Sequence, residues 1–305
     1  MIEASGENVS IRHIALIGFG EVGRIFATEL GKQPVTLSTY DILCHDPAIK
    51  DELKTRAEQA GANLCLSLAD ALKNADLVIS AVTASSAKQV ALEAGKFLRP
   101  GQVFMDINSV SPATKKADEQ AVLGASAYYL EAAVMAPVPP YGLSAPILLG
   151  GATAAKLSPV LNQLGFNTRA VSNEVGVASA IKMCRSVMIK GIEALTVECL
   201  RAAQQYNAQD EVLASLEETF PGLDWTGELP HYLISRVAEH GRRRAAEMRE
   251  VAQTLSDVGV KPLMTKACVE VQDGLIDEMQ AAGLAYPTQK FNWPNFYHEL
   301  SAKKT

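Results

Sequence analysis

The feature that most constrains this chain is a glycine pattern that follows a short apolar segment near its start. Residues 14–17 are apolar, residues 18–23 read Gly-Phe-Gly-Glu-Val-Gly, and a helical pattern continues over residues 24–30. In such a strand, turn and helix, the first glycine permits a sharp turn, the second lets the backbone approach a pyrophosphate, and the third lets the helix pack on the strand. The pattern predicts a dinucleotide site at six positions: Gly18, Phe19, Gly20, Glu21, Val22 and Gly23. The alternative is a glycine-rich turn without a ligand.

The segments after this turn supply the context that makes the glycine pattern informative. A second strand is predicted over residues 41–45, ending at Asp46. A carboxylate at such a strand end accepts hydrogen bonds from a ribose 2′-hydroxyl and repels a 2′-phosphate, so Asp46 favours NAD, with NADP as the alternative. Residues 75–82 form a continuous apolar run, which is typical of a strand buried on both faces. Val82, at the end of that run, is a further candidate for cofactor contact.

The alternation of strands and helices through the first half predicts an α/β fold class. The N-terminal domain, residues 1–172, is predicted to be a Rossmann doubly wound sheet. Over residues 173–305 helical periodicity dominates, which predicts an all-α C-terminal domain. Its helices are predicted at residues 175–206, 210–219, 230–259 and 263–282. The aromatic tail, residues 286–297, contains two prolines and is expected to pack across a surface.

Composition and charge narrow the range of partners. The net charge of -6 and the pI near 5.5 argue against a nucleic-acid or anionic-membrane surface. The most helix-like apolar stretch, residues 175–200, carries charged side chains in a number that a membrane span would not tolerate. The five cysteines are scattered, which favours buried thiols in a reducing cytoplasm, with no disulfide and no metal site. Residues 1–10 lack the basic and apolar segments of a secretion signal and are expected to form a loose extension.

Small polar side chains follow the strand that is predicted over residues 103–106. Residues 106–112 read Asp-Ile-Asn-Ser-Val-Ser-Pro, which places Asn108 and Ser109 at the carboxyl end of a parallel strand. Open α/β sheets bind their ligands at that edge. The alternative is a capping turn that begins a helix with Pro112 in its first position.

A lysine near the start of the long helix is a candidate for proton transfer. Lys182 and Ser186 are four residues apart and therefore share one helical face. A lysine that lies among alanine and isoleucine beside a cleft can be desolvated, which lowers its pKa toward a range useful for proton transfer. The alternative is a lysine whose stem packs on apolar surface while its ammonium group stays in water.

Four motifs in this order resemble those of the β-hydroxyacid dehydrogenase family, which includes 3-hydroxyisobutyrate dehydrogenase and 6-phosphogluconate dehydrogenase. The resemblance covers roughly residues 12–205. It rests on residues 18–23; on Asp106, Ser109, Ser111 and Pro112; on Glu131, Val134, Gly150 and Gly151; and on Gly176 and Lys182. The helical remainder, especially residues 242–252, resembles the C-terminal domain of poorly characterised phosphogluconate-dehydrogenase-like proteins.

The resemblance implies an NAD(P)-dependent oxidoreductase that acts on an alcohol/carbonyl pair of a small-molecule substrate. It implies that Lys182 is the general acid/base for the substrate hydroxyl, and that Asn108 and Ser109 lie beside the nicotinamide and the substrate. Ser186 stands where the family usually has an asparagine and can still form a hydrogen bond. The helical domain of the family also implies a homodimer.

The substrate loop departs from the family pattern. Where the family usually has Ser-Gly-Gly to hold the substrate carboxylate, this chain has Met135, Ala136 and Pro137. Met135 and Ala136 are therefore expected to line a pocket for a substrate that is larger than a short β-hydroxy acid and has an apolar part. Ile189 replaces the carboxylic acid of the sugar-acid decarboxylating members, which argues against phosphogluconate as the substrate.

Three cationic side chains of the C-terminal region are candidates to replace the missing anchor. His240, Arg243 or Arg244 is expected to hold an acidic group of the substrate. The alternative is a solvated helix face, because Glu239, Arg243 and Glu247 are spaced for i,i+4 ion pairs.

Two other functions stay open alongside the dehydrogenase. An imine reductase is compatible with related folds and with an altered substrate loop. A dinucleotide-binding protein that has lost catalysis belongs to a different class. Lys182 separates the two classes, because a protein without catalysis has no need of a lysine at that helix start.

Overall fold

The computed structural model describes residues 10–303 of a chain that divides by its contacts into two compact units. The first unit is Met1–Lys182 and the second is Met183–Thr305. This division by contacts lies inside a long helix, and Ala178 near the start of that helix packs with Ala133 and Leu148 of the first unit. The expected N-terminal extension falls almost entirely on residues 1–9, which lie outside the described residues.

The first unit is built on one mostly parallel sheet, which confirms the α/β prediction. Its strand order is β3-β2-β1-β4-β5-β6-β7-β8, and only the β6–β7 pairing is antiparallel among the described strands. The strands are β1 (His13–Ile17), β2 (Thr36–Tyr40), β3 (Ala62–Leu64), β4 (Leu77–Ser80), β5 (Val103–Asp106), β6 (Tyr128–Val134), β7 (Pro146–Gly150) and β8 (Asn167–Ser172). The strand order changes direction between the parallel strands β1 and β4: β2 and β3 lie on one side of β1, and β4 and the later strands lie on the other. The carboxyl ends of β1 and β4 therefore flank the crevice where such sheets bind ligands.

Helices connect the strands and cover both faces of the sheet. They are α1 (Glu21–Leu30), α2 (Lys50–Gln59), α3 (Leu68–Leu72), α4 (Ala84–Ala94), α5 (Pro112–Leu123), α6 (Val138–Tyr141) and α7 (Ala154–Gln163). Alternate residues of β1 enter opposite cores: Ile14 and Leu16 pack with Phe26, whereas Ala15 and Ile17 lie in a cluster on the other face. Burial on both faces explains why the central strands are continuous apolar runs.

The second strand differs from its prediction. The segment predicted as a strand is a 3₁₀ turn, Ile42–His45, whereas β2 is the more polar segment Thr36–Tyr40. Its buried hydroxyl groups are satisfied: Ser38 donates to the carbonyl oxygen of Ala71 at 2.9 Å, and Thr39 donates to that of Leu16 at 3.0 Å. Hydrogen bonds of this kind let polar residues occupy a buried strand, and they leave no apolar pattern in the sequence.

The second unit is helical, as predicted. Its helices are α8 (Val177–Gln205), which begins in the first unit, α9 (Gln209–Thr219), α10 (Glu228–Asp257), α11 (Leu263–Ala281) and α12 (Trp293–Ala302). The last part of the aromatic tail, from Trp293, begins α12, which was not predicted as a helix. Asn292 caps it by accepting a hydrogen bond from the Asn295 N–H at 3.1 Å, and its aromatic side chains are buried in the core with Ile234 and Leu275. Over residues 10–303, no helix combines the length and apolarity of a membrane span.

Candidate active site

The glycine-rich turn between β1 and α1 has the geometry that its sequence predicts. Gly18 has φ +88°, and a Cβ there would lie 2.4 Å from the Ala81 carbonyl oxygen. A Cβ on Gly23 would lie 2.1 Å from the Gly18 carbonyl oxygen, so the helix packs directly on the turn. Beside Gly20, by contrast, no described atom lies within 4 Å of an added Cβ, and no described side chain caps the start of α1. The N–H groups of this helix start and the space beside Gly20 fit a pyrophosphate.

The carboxylate at the end of β2 is Asp41, so the predicted position of Asp46 at that strand end is wrong. Asp41 directly follows β2, and its carboxylate accepts from the Phe19 N–H at 2.7 Å and from the Leu43 N–H at 3.0 Å. Asp46 lies beyond the 3₁₀ turn, where it accepts from the Ala48 N–H at 2.9 Å. Asp41 was predicted to be the first residue of a strand, whereas the strand in the structure ends at the residue before it. Asp41 is the carboxylate that contacts the glycine-rich turn.

Asn108 joins the ends of β4 and β5. Its Oδ1 accepts from the Val82 N–H at 2.8 Å, and its Nδ2 donates to Ser80 Oγ at 3.0 Å and to Asp106 Oδ1 at 2.7 Å. Val82 and Asn108, each predicted to contact the cofactor, are therefore in direct contact with each other. The buried Asn108 amide shapes this edge of the sheet and leaves the half-buried Ser109 at its surface.

A buried ionic cluster lies beneath this edge, and the sequence reading missed it. Lys115 Nζ lies 3.0 Å from Asp106 Oδ1, and both side chains are 1% exposed. The Tyr129 hydroxyl donates a hydrogen bond to Asp106 Oδ2 at 2.7 Å. Asp118 is also buried, and among the described residues neither of its carboxylate oxygens has a hydrogen-bond partner. Burial, with the nearby charge of Asp106, raises the pKa of Asp118 to about 6. The i,i+3 spacing of Lys115 and Asp118 on α5 was the available signal, but it is also typical of a solvated helix face.

The start of α8 brings Lys182 to Ser109. Lys182 Nζ donates a hydrogen bond to Ser109 Oγ at 2.5 Å, and both side chains are half-buried. Ser111 caps α5 by accepting from the Thr114 N–H at 3.2 Å, with Pro112 in the first turn, so the capping interpretation of this segment also holds. The result is an amine and a hydroxyl, hydrogen-bonded to each other, at the carboxyl end of β5.

The predicted substrate loop lies close to the same helix. Met135 follows β6, donates its N–H to the Pro146 carbonyl oxygen at 2.8 Å, and packs against a cluster that includes Ala178 of α8. Met135 and Ala136 are half-buried, as is Ser186 one turn along α8 from Lys182. The apolar Met135 side chain therefore packs beside the start of the helix that carries the lysine.

The three cations predicted to hold a substrate anion have different surroundings. Arg244 is buried and forms a bidentate ion pair with Glu193, so this carboxylate occupies its guanidinium group. Burial lowers the pKa of His240, with a further contribution from the positive charge of Arg236, so at neutral pH the imidazole is uncharged and a weak partner for an anion. Arg243 is exposed and forms the predicted i,i+4 pair with Glu247 at 3.2 Å.

No group of three or more acidic, histidine or cysteine side chains in the described part of the chain is placed to hold a metal ion. All five cysteines are free thiols, and the expectation that they are buried is wrong for Cys184 and Cys199, which are exposed.

Comparison with known families decides the class of this protein. Residues 13–172 match the NAD binding domain of 6-phosphogluconate dehydrogenase, and this match covers more than half of the chain. The chain belongs to the family defined by this domain. Residues 203–275 match a domain of unknown function, DUF1932. The 6-phosphogluconate dehydrogenase-like assignment confirms the resemblance to β-hydroxyacid dehydrogenases and makes the first unit an NAD(P)-binding domain.

Solved structures extend the similarity along nearly the whole chain. A conserved hypothetical protein from Sinorhizobium meliloti is 38% identical, with a TM-score of 0.80 over 97% of this chain and 98% of its own. A conserved protein of unknown function, whose structure is similar to 3-hydroxyacid dehydrogenases, is 32% identical, with a TM-score of 0.71 over 87% and 97% of the two chains.

Two distant structures share the fold alone. One is 3-hydroxyisobutyrate dehydrogenase from Mycobacterium tuberculosis, which is 16% identical, with a TM-score of 0.73 over 95% of this chain and 99% of its own. The other is an imine reductase from Aspergillus terreus, which is 15% identical, with a TM-score of 0.58 over 87% and 95% of the two chains.

Proposed function

We propose that this protein is an NAD-dependent oxidoreductase that transfers a hydride between the nicotinamide and an alcohol/carbonyl substrate larger than a short β-hydroxy acid. Lys182 is its general acid/base. The observation that carries the proposal is the 2.5 Å hydrogen bond from Lys182 Nζ to Ser109 Oγ at the carboxyl edge of an NAD(P)-binding sheet. When bound there, the nicotinamide supplies the hydride acceptor or donor.

The chain's own residues account for the movement of the proton. In the oxidation direction, the neutral Lys182 amine takes the proton of the substrate hydroxyl while the adjacent C–H bond loses a hydride. In reduction, the Lys182 ammonium group returns that proton to the carbonyl oxygen. Ser109 accepts a hydrogen bond from the lysine and can donate its own proton to the same substrate oxygen, which orients the substrate. Positioned acid/base help of this kind contributes roughly 10²–10⁴ in rate.

The test is a panel of alcohols, carbonyl compounds and imines, followed at the NADH absorbance with the wild-type protein and two variants. Lys182→Ala is expected to lower turnover by roughly 10²–10⁴ and to leave cofactor affinity within about threefold. Lys73→Ala, which removes an exposed lysine of the same unit, is the matched control and should behave as wild type. Unchanged turnover of Lys182→Ala would show that the role of this residue is misassigned.

The cofactor preference rests on Asp41 rather than on Asp46. Asp41 ends β2 and is held by the Phe19 N–H, so its negative charge lies beside the glycine-rich turn. A carboxylate at this place accepts from a ribose 2′-hydroxyl and repels a 2′-phosphate, which favours NAD over NADP. Asp41→Asn should weaken NAD binding about tenfold and reduce the preference over NADP, whereas Asp46→Asn should change neither. Fluorescence titration of both cofactors measures this, and tighter NADP binding by the wild-type protein would contradict it.

The apolar character of the substrate loop supports both the larger substrate and the alternative reaction. Met135 adds a flexible apolar side chain where the resembling family has a hydroxyl donor, so a short hydroxy acid loses its anchor.

Arg243, the exposed cation of α10, is the proposed partner for any acidic group of the substrate, and Arg243→Ala should then raise KM by one to two orders of magnitude, on the order of 1.5–3 kcal/mol. An imine is the second candidate substrate, because it needs no carboxylate anchor. Efficient turnover of 3-hydroxyisobutyrate would contradict the larger-substrate proposal.

We also propose a cytoplasmic homodimer that pairs through α8. Exposed side chains on α8 follow a four-three spacing that is typical of helix pairing: Met188, Ile192, Leu195, Cys199 and Ala202. Tyr206, directly after the end of α8, is exposed at the next position of this spacing. Met188, Leu195 and Tyr206 are 64%, 56% and 84% exposed in the single chain. A second copy presents the same stripe and can bury it. Light scattering should give twice the 32.6 kDa chain mass, and Leu195→Glu should give the monomer mass. A monomeric wild-type protein at micromolar concentration would contradict the dimer.

A further inference from the structure

A fully buried carboxylate of β6 contacts the start of the helix that carries Lys182. Glu131 is 0% exposed, and its Cα is paired in register with Asp106 of β5 on one side and with Gly150 of β7 on the other. Its Oε2 accepts from the Gly176 N–H and its Oε1 accepts from the Ser179 N–H, each at 2.7 Å. Gly176 directly precedes α8 and Ser179 lies in its first turn, so no carbonyl group of the helix can reach either N–H group. Glu131 is therefore an N-terminal cap supplied from a strand.

The surrounding backbone leaves room for this carboxylate. A Cβ on Gly150 would lie 2.4 Å from Glu131 Oε2, so any larger residue at the paired position of β7 would displace the carboxylate. Gly176 has φ +105°, a left-handed backbone conformation that side chains other than glycine rarely adopt. An anion at a helix N-terminus is also favoured by the partial positive charge of the helix dipole. Two glycines and one helix start are thus arranged around one carboxylate.

Two neighbouring carboxylates hold the two halves of the Lys182–Ser109 pair. On β5, Asp106 Oδ1 accepts from the Asn108 N–H at 2.9 Å and from Asn108 Nδ2 at 2.7 Å, and this fixes the turn that carries Ser109. On β6, Glu131 fixes the first turn of α8, and Lys182 lies three residues beyond Ser179, in the next turn. Because Asp106 and Glu131 are paired in register, the two supports are tied to each other through the sheet.

We propose that Glu131 is a positioning residue that sets the rotation and axial position of α8, and so the distance from Lys182 to Ser109. It acts through Lys182 and not on the reacting atoms. This inference rests on the proposed acid/base role of Lys182, and its experiment therefore includes a measurement that does not depend on that role.

The kinetic experiment combines variants at Glu131 and Lys182. Glu131→Gln retains one oxygen acceptor and turns an NH₂ group toward the second N–H, so α8 should shift and turnover should fall about 10²-fold, with NAD affinity within about threefold. Glu131→Asp keeps the charge with a shorter reach and should recover part of the loss. In the Lys182→Ala background, Glu131→Gln should cost nothing further, because its effect passes through the lysine. Glu174→Gln, an exposed carboxylate close to the same helix start, is the control and should match wild type.

The structural experiment is a crystal structure of Glu131→Gln. The inference expects the Lys182 Nζ to Ser109 Oγ separation to exceed hydrogen-bond distance, with the glycine-rich turn unchanged. A separation that stays at 2.5 Å, or losses that are fully additive with Lys182→Ala, would overturn the inference. If Lys182→Ala keeps wild-type turnover, the proposed function fails, and the crystal structure alone decides whether Glu131 positions the helix. Should Glu131→Gln not fold, Gly150→Ala, which pushes on the carboxylate without removing it, takes its place.

Discussion

Two groups of carboxylates, one in each unit of this protein, have different kinds of partner. In the first unit, Asp41 and Glu131 accept hydrogen bonds from backbone N–H groups and fix turns and helix starts around the candidate site. In the second unit, Glu193 pairs with Arg244 and Glu247 pairs with Lys190, and each pair joins α8 to α10. A carboxylate that accepts hydrogen bonds from backbone N–H groups fixes the local backbone conformation. A carboxylate that pairs with a cation of another helix stabilises the packing of the two helices. Changes in the first group should therefore affect geometry and catalysis, and changes in the second should affect stability.

The largest expected effect on stability comes from breaking the buried pair in the second unit. Arg244→Met leaves the Glu193 carboxylate, 2% exposed, without its cation, which should lower the free energy of unfolding by about 3–5 kcal/mol. Arg243→Met, next along the helix but exposed, should cost about 1 kcal/mol or less. Replacing both partners, Glu193→Leu with Arg244→Met, should recover most of the loss. Urea unfolding measures all three, and equal costs for Arg244→Met and Arg243→Met would erase the proposed difference between the units.

Asp118 sharpens the comparison, because it is a buried carboxylate of the first unit with neither kind of support. Its pKa is raised from 3.8 to about 6, so the folded protein holds a proton that the unfolded chain releases between these values. Ionisation of Asp118 therefore costs stability progressively as pH rises through this window, and the full cost is present above about pH 6. Asp118→Asn should raise the free energy of unfolding by up to about 3 kcal/mol at pH 8 and change it little at pH 4. A gain of the same size at both pH values would contradict this account.

The smallest expected effect is at a half-exposed pair of the second unit. Arg201 and Glu278 form a bidentate ion pair between α8 and α11, with side chains 36% and 30% exposed. Solvent screens such a pair, so Arg201→Met should cost about 1 kcal/mol or less, and salt should reduce that difference further. Urea unfolding at low and high salt is the measurement. A loss in the free energy of unfolding comparable to that of Arg244→Met would mean that burial does not determine how much each ion pair contributes to stability.

Much of the fold could be predicted from the sequence, because its patterns are local. The glycine-rich turn, the strand at residues 103–106 and the helix that starts at Pro112 each follow from neighbouring residues. The second strand could not be placed, because its hydroxyl groups are buried through hydrogen bonds to distant carbonyl groups. Because Asp41 directly follows this strand, its place at the strand end could not be predicted either.

The candidate site shows a similar limit. Ser109 and Lys182 were paired by resemblance, and the structure places their side chains 2.5 Å apart. The three consecutive arginines could not be sorted, because successive helix residues point about 100° apart and the sequence does not say which direction is inward. Arg242 lies 3.0 Å from Asp273, Arg243 is exposed, and Arg244 is buried against Glu193. The ion pair of Lys115 was missed because its partner, Asp106, lies on a different element, so no helical spacing links the two residues.

The most direct test of the central claim is hydride transfer itself. Wild-type protein, Lys182→Ala and Lys73→Ala are incubated with NADH deuterated at the transferring position and with a panel of carbonyl compounds and imines, and the deuterium in the products is measured by mass spectrometry. The account predicts deuterated alcohol from the wild-type protein and from Lys73→Ala, and a rate lower by roughly 10²–10⁴ for Lys182→Ala at unchanged NADH affinity. Deuterium transfer that does not depend on Lys182, or its absence from every product of the wild-type protein while NADH still binds, would contradict the account.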